Sequence, residues 1–197
     1  MASVTEMKQY LFLDIDGVIA IPFELGPDDE WELSTSCLNA LALIVDTVPE
    51  LCIVISSSWR TGTREATLQK MSRAGFPQKV LDHIVGETMR PYSFLPKGLA
   101  LPIPRGVLIK QWIDHYVHSG GSGIYIIGQN GTYAPKGLGI DYEYAILDDR
   151  DDMLLEQDSR YFKVSSSQGL TFELAHQIIS HFEGCGGFHI TKQFTRQ

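Results

Sequence analysis

Short apolar runs that alternate with amphipathic patterns constrain the fold of this chain more than any other feature. Continuous apolar runs of this kind are typical of buried parallel strands, and they occur at Leu11 to Leu13, Leu51 to Ile55, Gly123 to Ile127, Tyr144 to Leu147 and Tyr161 to Val164. Helical spacing of apolar residues lies between or after them, at about 35–48, 63–74, 107–117 and 174–182. Strands alternating with helices predict βαβ units, and therefore an α/β fold of three layers, α/β/α, with a central parallel sheet.

A chain of 197 residues with 44% hydrophobic residues can bury one full core and shows no evident linker, so we predict a single domain over 1–184 with a loose tail over 185–197. Residues 20–33 contain two Pro and an acidic cluster, which indicate a loop or a small flap. Residues 76–106 contain Pro91, Pro96, Pro102 and Pro104 after a short apolar stretch, which predicts a long ordered loop or an excursion that covers a site. The turn-rich residues Gly128 to Ile140 are typical of an inserted hairpin.

Charge and cysteine content exclude several classes of protein. A net charge of -8 argues against a broad basic surface for nucleic acid, although a local basic site stays open. Cys37, Cys52 and Cys185 form no paired motif for zinc, and they fit a reduced compartment. The sequence lacks an apolar run long enough for a membrane span. We therefore expect a cytoplasmic protein that does not associate with membranes.

Polar residues follow three of the predicted strands at the point where each strand ends. Asp14 and Asp16 follow the first, Ser56 to Ser58 the second, and Asp148 and Asp149 the strand at Tyr144 to Leu147. The carboxyl ends of parallel strands share one edge of a sheet, where ligands bind in this architecture. Carboxylates gathered there would repel one another unless a cation held them, and oxygen ligands with room for water suit Mg²⁺. The pattern therefore predicts a magnesium site that accepts a phosphate.

The residues Asp14-Ile15-Asp16-Gly17-Val18 after an apolar strand resemble the signature of the haloacid dehalogenase (HAD) superfamily of phosphotransferases. The resemblance implies a Rossmann-like fold in which Asp14 attacks phosphorus and Asp16 serves as general acid and base. It implies further that Ser56 hydrogen-bonds the phosphoryl group. The metal ligands implied are Asp14, Asp16, Asp148 and Asp149, the last as a ligand or as a residue that orients one.

A closer resemblance is to the small HAD-like domains of Swiss army knife RNA-repair proteins. It is carried by Ser57-Ser58-Trp59-Arg60, by Arg105 opening the helix that contains Trp112, by Ile146 to Asp149 and by Gln168 to Thr171. The superfamily places a basic residue at the start of the helix before the acidic strand. This role is expected of Arg105, with Lys97 and Lys110 as alternatives.

Several roles stay open from sequence alone. Ser57, Arg60 and Lys97 are expected to contact the substrate, although Arg60 could instead pair with a structural acid. Trp59 is interpreted as a packing residue or as a platform for a base. Asp151 and Asp152 could support the metal site or simply be solvated.

The resulting hypothesis is a Mg²⁺-dependent phosphatase that acts through an aspartyl phosphate. The segment between Gly17 and Thr35 is too short for a helical cap domain, so a minimal cap or none is expected. Such a site suits a phosphorylated macromolecule, including an RNA or DNA end. The alternatives are a non-catalytic HAD-like domain that binds nucleic acid or protein, and a phosphatase of small nucleotides. The sequence contains no indication of the oligomeric state.

Overall fold

A five-stranded parallel sheet forms the centre of the protein. The computed structural model describes residues 7–22, 31–61, 63–89, 103–118 and 141–186. Seven strands lie in these ranges: β1 (Lys8–Leu13), β2 (Ala20–Pro22), β3 (Trp31–Leu33), β4 (Leu51–Ile55), β5 (Ile84–Glu87), β6 (Tyr142–Asp148) and β7 (Tyr161–Lys163). The sheet order is β5-β4-β1-β6-β7 with every pair parallel, while β2 and β3 form a separate antiparallel hairpin. The predicted α/β class is therefore confirmed.

Helices cover both faces of this sheet. The described α-helices are α1 (Thr35–Thr47), α2 (Arg64–Ala74), α3 (Gln78–Asp82), α4 (Arg105–Trp112) and α5 (Phe172–Gly186). A π-helical segment, Ile113–His118, continues α4, and a 3-10 segment, Leu155–Arg160, precedes β7. Ser34 caps α1 through its side chain, and Gly75 ends α2 in the left-handed conformation.

The alternation of side chains along β1 divides the core into two layers. Leu11 and Leu13 pack in a cluster that includes residues of α1, α3 and α5. Phe12 points to the opposite face and packs with Ile109 and Trp112 of α4. Because alternate residues of β1 face opposite sides and helices pack on both, the fold has three layers, α/β/α.

The structure differs from the prediction between α2 and α4. Residues 78–87 form α3 and the edge strand β5, whereas the sequence indicated a loop there. The strand is only four residues long and contains Gly86, so its apolar signal is weak. Residues 185 and 186 of the predicted tail end α5. Residues 90–102, the predicted strand at Gly123 to Ile127, the predicted insertion at Gly128 to Ile140 and the rest of that tail lie outside the described residues.

The hairpin of β2 and β3 corresponds to the small flap predicted over residues 20–33. It follows the Asp16–Gly17 turn at once, because the amide of Gly17 donates to the carbonyl of Ala20 at 2.7 Å. None of the helices within the described ranges combines the length and apolar character that a membrane crossing requires.

Candidate active site

Three polar residues stand side by side where β1, β4 and β6 end. Leu13 of β1 lies opposite Ile55 of β4 and opposite Leu147 of β6. The next residue of each strand is Asp14, Ser56 and Asp148, respectively. The amide of Asp14 donates to the carbonyl of Leu147 at 3.0 Å, and the amide of Ser56 donates to that of Leu13 at 2.9 Å. The strand register therefore aligns these three side chains, at the point where the strand order reverses.

Three carboxylates converge at this edge. Asp14, Asp148 and Asp149 each place one carboxylate oxygen within 4.8 Å of the others. Asp14 and Asp148 are buried, with 4% and 0% of their surface exposed. Burial, and then the charge of Asp14, raise the pKa of Asp148 to about 7, and the same two causes raise the pKa of Asp149. The positive charge of nearby residues therefore does not fully offset the negative charge of these three carboxylates.

Asp149 approaches the turn after β1 closely, and this approach depends on a glycine. Gly17 has a φ of +79°, a conformation that residues with a side chain rarely adopt. A Cβ atom at position 17 would overlap the carboxylate of Asp149 and would lie 3.2 Å from Cβ of Ser166. The glycine of the sequence motif thus makes room for a member of the acidic group.

Arg105 lies between two of the carboxylates. Its Nη2 is 3.2 Å from Oδ2 of Asp14, and its Nη1 is 3.4 Å from Oδ2 of Asp148. Nη1 also donates to the carbonyl of Ser56. Lys110 instead pairs with Asp114 and Glu156, each at 3.6 Å, and Lys97 lies outside the described residues. Between the two described candidates, the geometry favours Arg105 as the basic residue of the site.

The start of α4 is held in place by the segment that follows β6. The amide of Arg105 donates to Oδ2 of Asp152 at 3.0 Å, and the amide of Gly106 donates to the carbonyl of Asp152 at 3.2 Å. A Cβ atom at position 106 would lie 2.5 Å from the backbone nitrogen of Leu154, so only Gly permits this approach. Asp152 therefore positions Arg105, and Asp151 forms an exposed ion pair with Lys163.

Three buried oxygens at or beside the site have no hydrogen-bond partner among the described residues. They are Oγ of Ser56, Oδ1 of Asp152 and Oδ2 of Asp148, the last of which has only the longer ion-pair contact with Arg105 at 3.4 Å. A buried hydroxyl or carboxylate oxygen without a hydrogen-bond partner costs free energy, so such atoms indicate a ligand that supplies the missing interaction. A buried triad of carboxylates that faces one point could hold a metal ion, and the unpartnered oxygen of Asp148 belongs to that triad. The residues present thus fit a cation.

The side chain of Asp16 makes a different set of contacts from the acidic triad. Its Oδ2 accepts a hydrogen bond from Oγ of Ser58 at 2.8 Å, and its Oδ1 accepts one from Nε1 of Trp59 at 2.7 Å. Asp16 is absent from the group of described residues that could hold a metal. Of the four metal ligands predicted from the sequence, the structure brings three together and holds the fourth in a different set of contacts.

Ser57 and Arg60 lie in the loop after β4. Hydrogen bonds join them to backbone groups of this loop and of the segment at the end of β5. Oγ of Ser57 accepts from the amide of Trp59 at 3.2 Å. Arg60 is buried and donates to the carbonyls of Ser57, Thr88 and Met89 at 2.6, 3.0 and 3.0 Å. Their expected contact with a substrate therefore stays a prediction, while their visible contribution is to fix this loop against the chain after β5.

The contacts of three residues at the site were not predicted from the sequence. Asp152 and Gly106 anchor Arg105, and Trp59 contacts Asp16 directly. A weak signal existed for Gly106, because a Gly in the first turn of a helix is unfavourable unless close packing requires it. No local pattern pairs Trp59 with a residue 43 positions away.

Comparison with known proteins agrees with this geometry. A family model described as the HAD domain in Swiss Army Knife RNA repair proteins matches residues 10–127, which include Asp14, Ser56 and Arg105 and end before Asp148. The chain matches no curated protein and no solved structure significantly. HAD domains are phosphatase-type hydrolases that typically use a metal ion. Because the match spans more than half of the sequence, this chain belongs to the family of HAD domains found in Swiss Army Knife RNA repair proteins.

Proposed function

We propose that this protein is a Mg²⁺-dependent phosphatase that hydrolyses phosphoric monoesters through an aspartyl phosphate on Asp14. The observation that carries the proposal is the convergence of Asp14, Asp148 and Asp149 beside Arg105 and the unpartnered hydroxyl of Ser56. A site that only binds phosphate would have no need of a buried carboxylate, since like charges repel. The carboxylate is explained when it is the nucleophile.

Asp14, Asp148 and Asp149 are the residues that would hold the magnesium ion. Their ligands are hard oxygens, which Mg²⁺ prefers, and the raised pKa values of Asp148 and Asp149 reflect charge that a cation would offset. When bound, the cation neutralises the carboxylates and the incoming phosphate and polarises the phosphoryl oxygens.

In the first step, a carboxylate oxygen of Asp14 forms a bond to phosphorus while the bond from phosphorus to the ester oxygen breaks. The electron pair of that bond goes to the ester oxygen, which takes a proton from the carboxyl group of Asp16. Arg105 faces Oδ2 of Asp14, so its positive charge can stabilise the negative charge that develops on the phosphoryl oxygens. Ser56, whose Oγ has no other hydrogen-bond partner among the described residues, donates to the phosphoryl group.

In the second step, water attacks the phosphorus of the aspartyl phosphate. Asp16 takes a proton from that water, the bond between phosphorus and the oxygen of Asp14 breaks, and inorganic phosphate leaves. Asp14 returns to the carboxylate form and Asp16 to the acid form. One carboxylate thus carries the phosphoryl group while the other moves protons in both directions.

We propose a phosphorylated macromolecule as the substrate, with an RNA or DNA end as the first choice and the cytoplasm as the location. The described residues between β1 and α1 form a small hairpin and contain no helical cap, which supports access for a large substrate. The family match to a domain of RNA repair proteins supports a nucleic acid. A net charge of -8 requires that such a strand be held locally. Lys97 is the residue we propose for this contact, because the guanidinium of Arg60 is buried against backbone carbonyls.

Hydrolysis of nitrophenyl phosphate in the presence of Mg²⁺ tests the proposed reaction. The Asp14→Asn protein should lose activity by at least ~1,000-fold, because the nucleophile is removed. Asp151→Asn is the matched control, since Asp151 is an exposed Asp that pairs with Lys163 and lies outside the triad. Equal rates for the wild type and Asp14→Asn would remove Asp14 as the nucleophile.

A panel of substrates then tests the substrate class. It compares oligonucleotides phosphorylated at the 5′ or 3′ end with mononucleotides, sugar phosphates and phosphopeptides. We expect the highest kcat/KM for an oligonucleotide end. A preference for small sugar phosphates would contradict the argument from the open site.

A further inference from the structure

We propose that Trp59 and Ser58 are positioning residues that hold Asp16 in the orientation from which it protonates the leaving group. The inference rests on the proposed function, in which Asp16 is the proton donor. Both oxygens of this carboxylate are engaged: Oδ1 by the indole N–H of Trp59 at 2.7 Å and Oδ2 by the hydroxyl of Ser58 at 2.8 Å. Two directed hydrogen bonds fix the plane of the carboxyl group relative to the loop after β4.

The two donors differ in chemistry, and this difference determines which of the two hydrogen bonds can change direction. An indole N–H can only donate, so Oδ1 must remain an acceptor in every protonation state of Asp16. A hydroxyl can donate or accept, so Ser58 can accept a hydrogen bond from a protonated Oδ2. Both hydrogen bonds can therefore persist when Asp16 carries a proton on Oδ2, with Ser58 changing from donor to acceptor. In the first step this proton passes from Oδ2 to the ester oxygen as the bond from phosphorus to that oxygen breaks.

Trp59 is itself held firmly, which a positioning role requires. Its amide donates to Oγ of Ser57, and its ring meets Phe76 edge to face with centroids 6.1 Å apart. Nζ of Lys70, on α2, lies 4.5 Å from the ring centroid on a cation–π contact. The backbone of Trp59 is thus anchored by Ser57 and its ring by Phe76 and Lys70, and the single donor of the indole is directed at Asp16.

The test uses aryl phosphates that differ in how readily the leaving group departs: phenyl, nitrophenyl and dinitrophenyl phosphate. Phenolate is a poor leaving group and needs a proton, whereas dinitrophenolate leaves without one. Trp59→Phe removes the N–H and keeps an aromatic ring. We expect this variant to lower kcat/KM for phenyl phosphate by ~10- to 100-fold, part of the usual contribution of a general acid, and for dinitrophenyl phosphate by less than ~3-fold.

Two further variants make the result specific. Ser58→Ala removes the second donor at an exposed residue, and it should show the same dependence on the leaving group. Trp112→Phe is the matched control, because Trp112 packs with Phe12 on the other face of the sheet, in a cluster of described residues that does not include Asp16. It should change kcat/KM for all three esters by one common factor. Thermal unfolding of each protein verifies that it is folded.

The outcomes separate this inference from the function on which it rests. Equal slowing of phenyl and dinitrophenyl phosphate by both Trp59→Phe and Ser58→Ala would overturn the positioning role and leave the phosphatase assignment intact. A wild-type protein that hydrolyses none of the three esters with Mg²⁺ would overturn the proposed function, and the inference with it. A loss confined to the poor leaving group supports both.

Discussion

Replacing Asp148 with Asn should stabilise the metal-free protein at pH 8 and remove its stabilisation by Mg²⁺. Burial, together with the charge of Asp14, raises the pKa of Asp148 from an ordinary value of 3.8 to about 7, despite the ion pair with Arg105. At ~1.4 kcal/mol for each tenfold change in proton affinity, this rise corresponds to an upper value of ~4 kcal/mol of unfolding free energy.

The sign of the effect follows from proton binding. The folded state binds the proton of Asp148 more tightly than the unfolded state does, since its pKa is raised on folding. This stabilising contribution is therefore complete below about pH 4, declines as the pH rises, and is absent above about pH 7. The amide introduced by Asp148→Asn does not titrate, so the difference in stability between variant and wild type should widen between these limits.

About half of the upper value, ~2 kcal/mol, is the expected gain at pH 8. The introduced amide can still accept the hydrogen bond from the backbone N–H of Arg150, but its NH₂ group would face Arg105, which is also a donor. For a domain of this size, ~2 kcal/mol raises the unfolding midpoint by ~4–8 °C. Urea unfolding of both proteins in EDTA, from pH 4 to pH 8, measures the difference directly.

Addition of Mg²⁺ should reverse the order of stability. The wild type should gain stability by mass action, whereas the variant has lost one of the three carboxylates proposed to hold the ion. Glu143→Gln is the matched control at the start of the same strand: burial raises the pKa of Glu143, but hydrogen bonds from Arg160 lower it overall. Its effect on stability should therefore have the opposite dependence on pH. Parallel pH curves for the wild type and Asp148→Asn would refute the reasoning.

Three further substitutions test other parts of the site. Ser56→Ala should change the unfolding free energy by less than ~1 kcal/mol, because Oγ has no partner to lose, yet it should lower kcat by ~100-fold in a phosphatase assay. Gly17→Ala should displace Asp149 and so weaken the Mg²⁺-dependent shift of the unfolding midpoint. Gly75→Ala is its control, because Gly75 also has a positive φ, +103°, but has open space around its Cβ position. This control should leave the Mg²⁺-dependent shift unchanged. Gly106→Ala should lower kcat and leave the Mg²⁺-dependent shift intact, since it displaces the start of α4 but not the triad; equal loss of both properties would contradict this separation.

The apolar runs were sufficient to predict most of the sheet. Leu51 to Ile55 was predicted as a strand and forms β4 with the same bounds. The edge strand β5 was missed because it is short, contains Gly86 and is paired on one side only, so it needs no continuous apolar run. Periodicity also could not show that α4 continues as a π-helical segment over Ile113–His118, since one inserted residue barely changes the apolar pattern.

The part of the candidate site that is formed by residues directly after the strands could be predicted from the sequence. Asp14, Ser56 and Asp148 follow directly after apolar runs, and parallel pairing in register is enough to bring them together. The choice of Arg105 over Lys110 was open in the sequence, because both lie on the same helix. Only the packing of α4 against the chain at Asp152 decides which of them faces the carboxylates.

The sequence by itself determined the fold class and the three carboxylates of the triad, because the period of apolar residues and the residue that ends each strand are local properties. The tertiary structure alone decided the partners of Asp16, the contact of Gly17 with Asp149 and the direction of Arg105. Each of these is a contact between residues far apart in the chain, whose distance is set by how helices and loops pack on the sheet. The strand sequences therefore specify which reactive groups reach the edge of the sheet, and the packing of helices and loops sets how these groups are oriented.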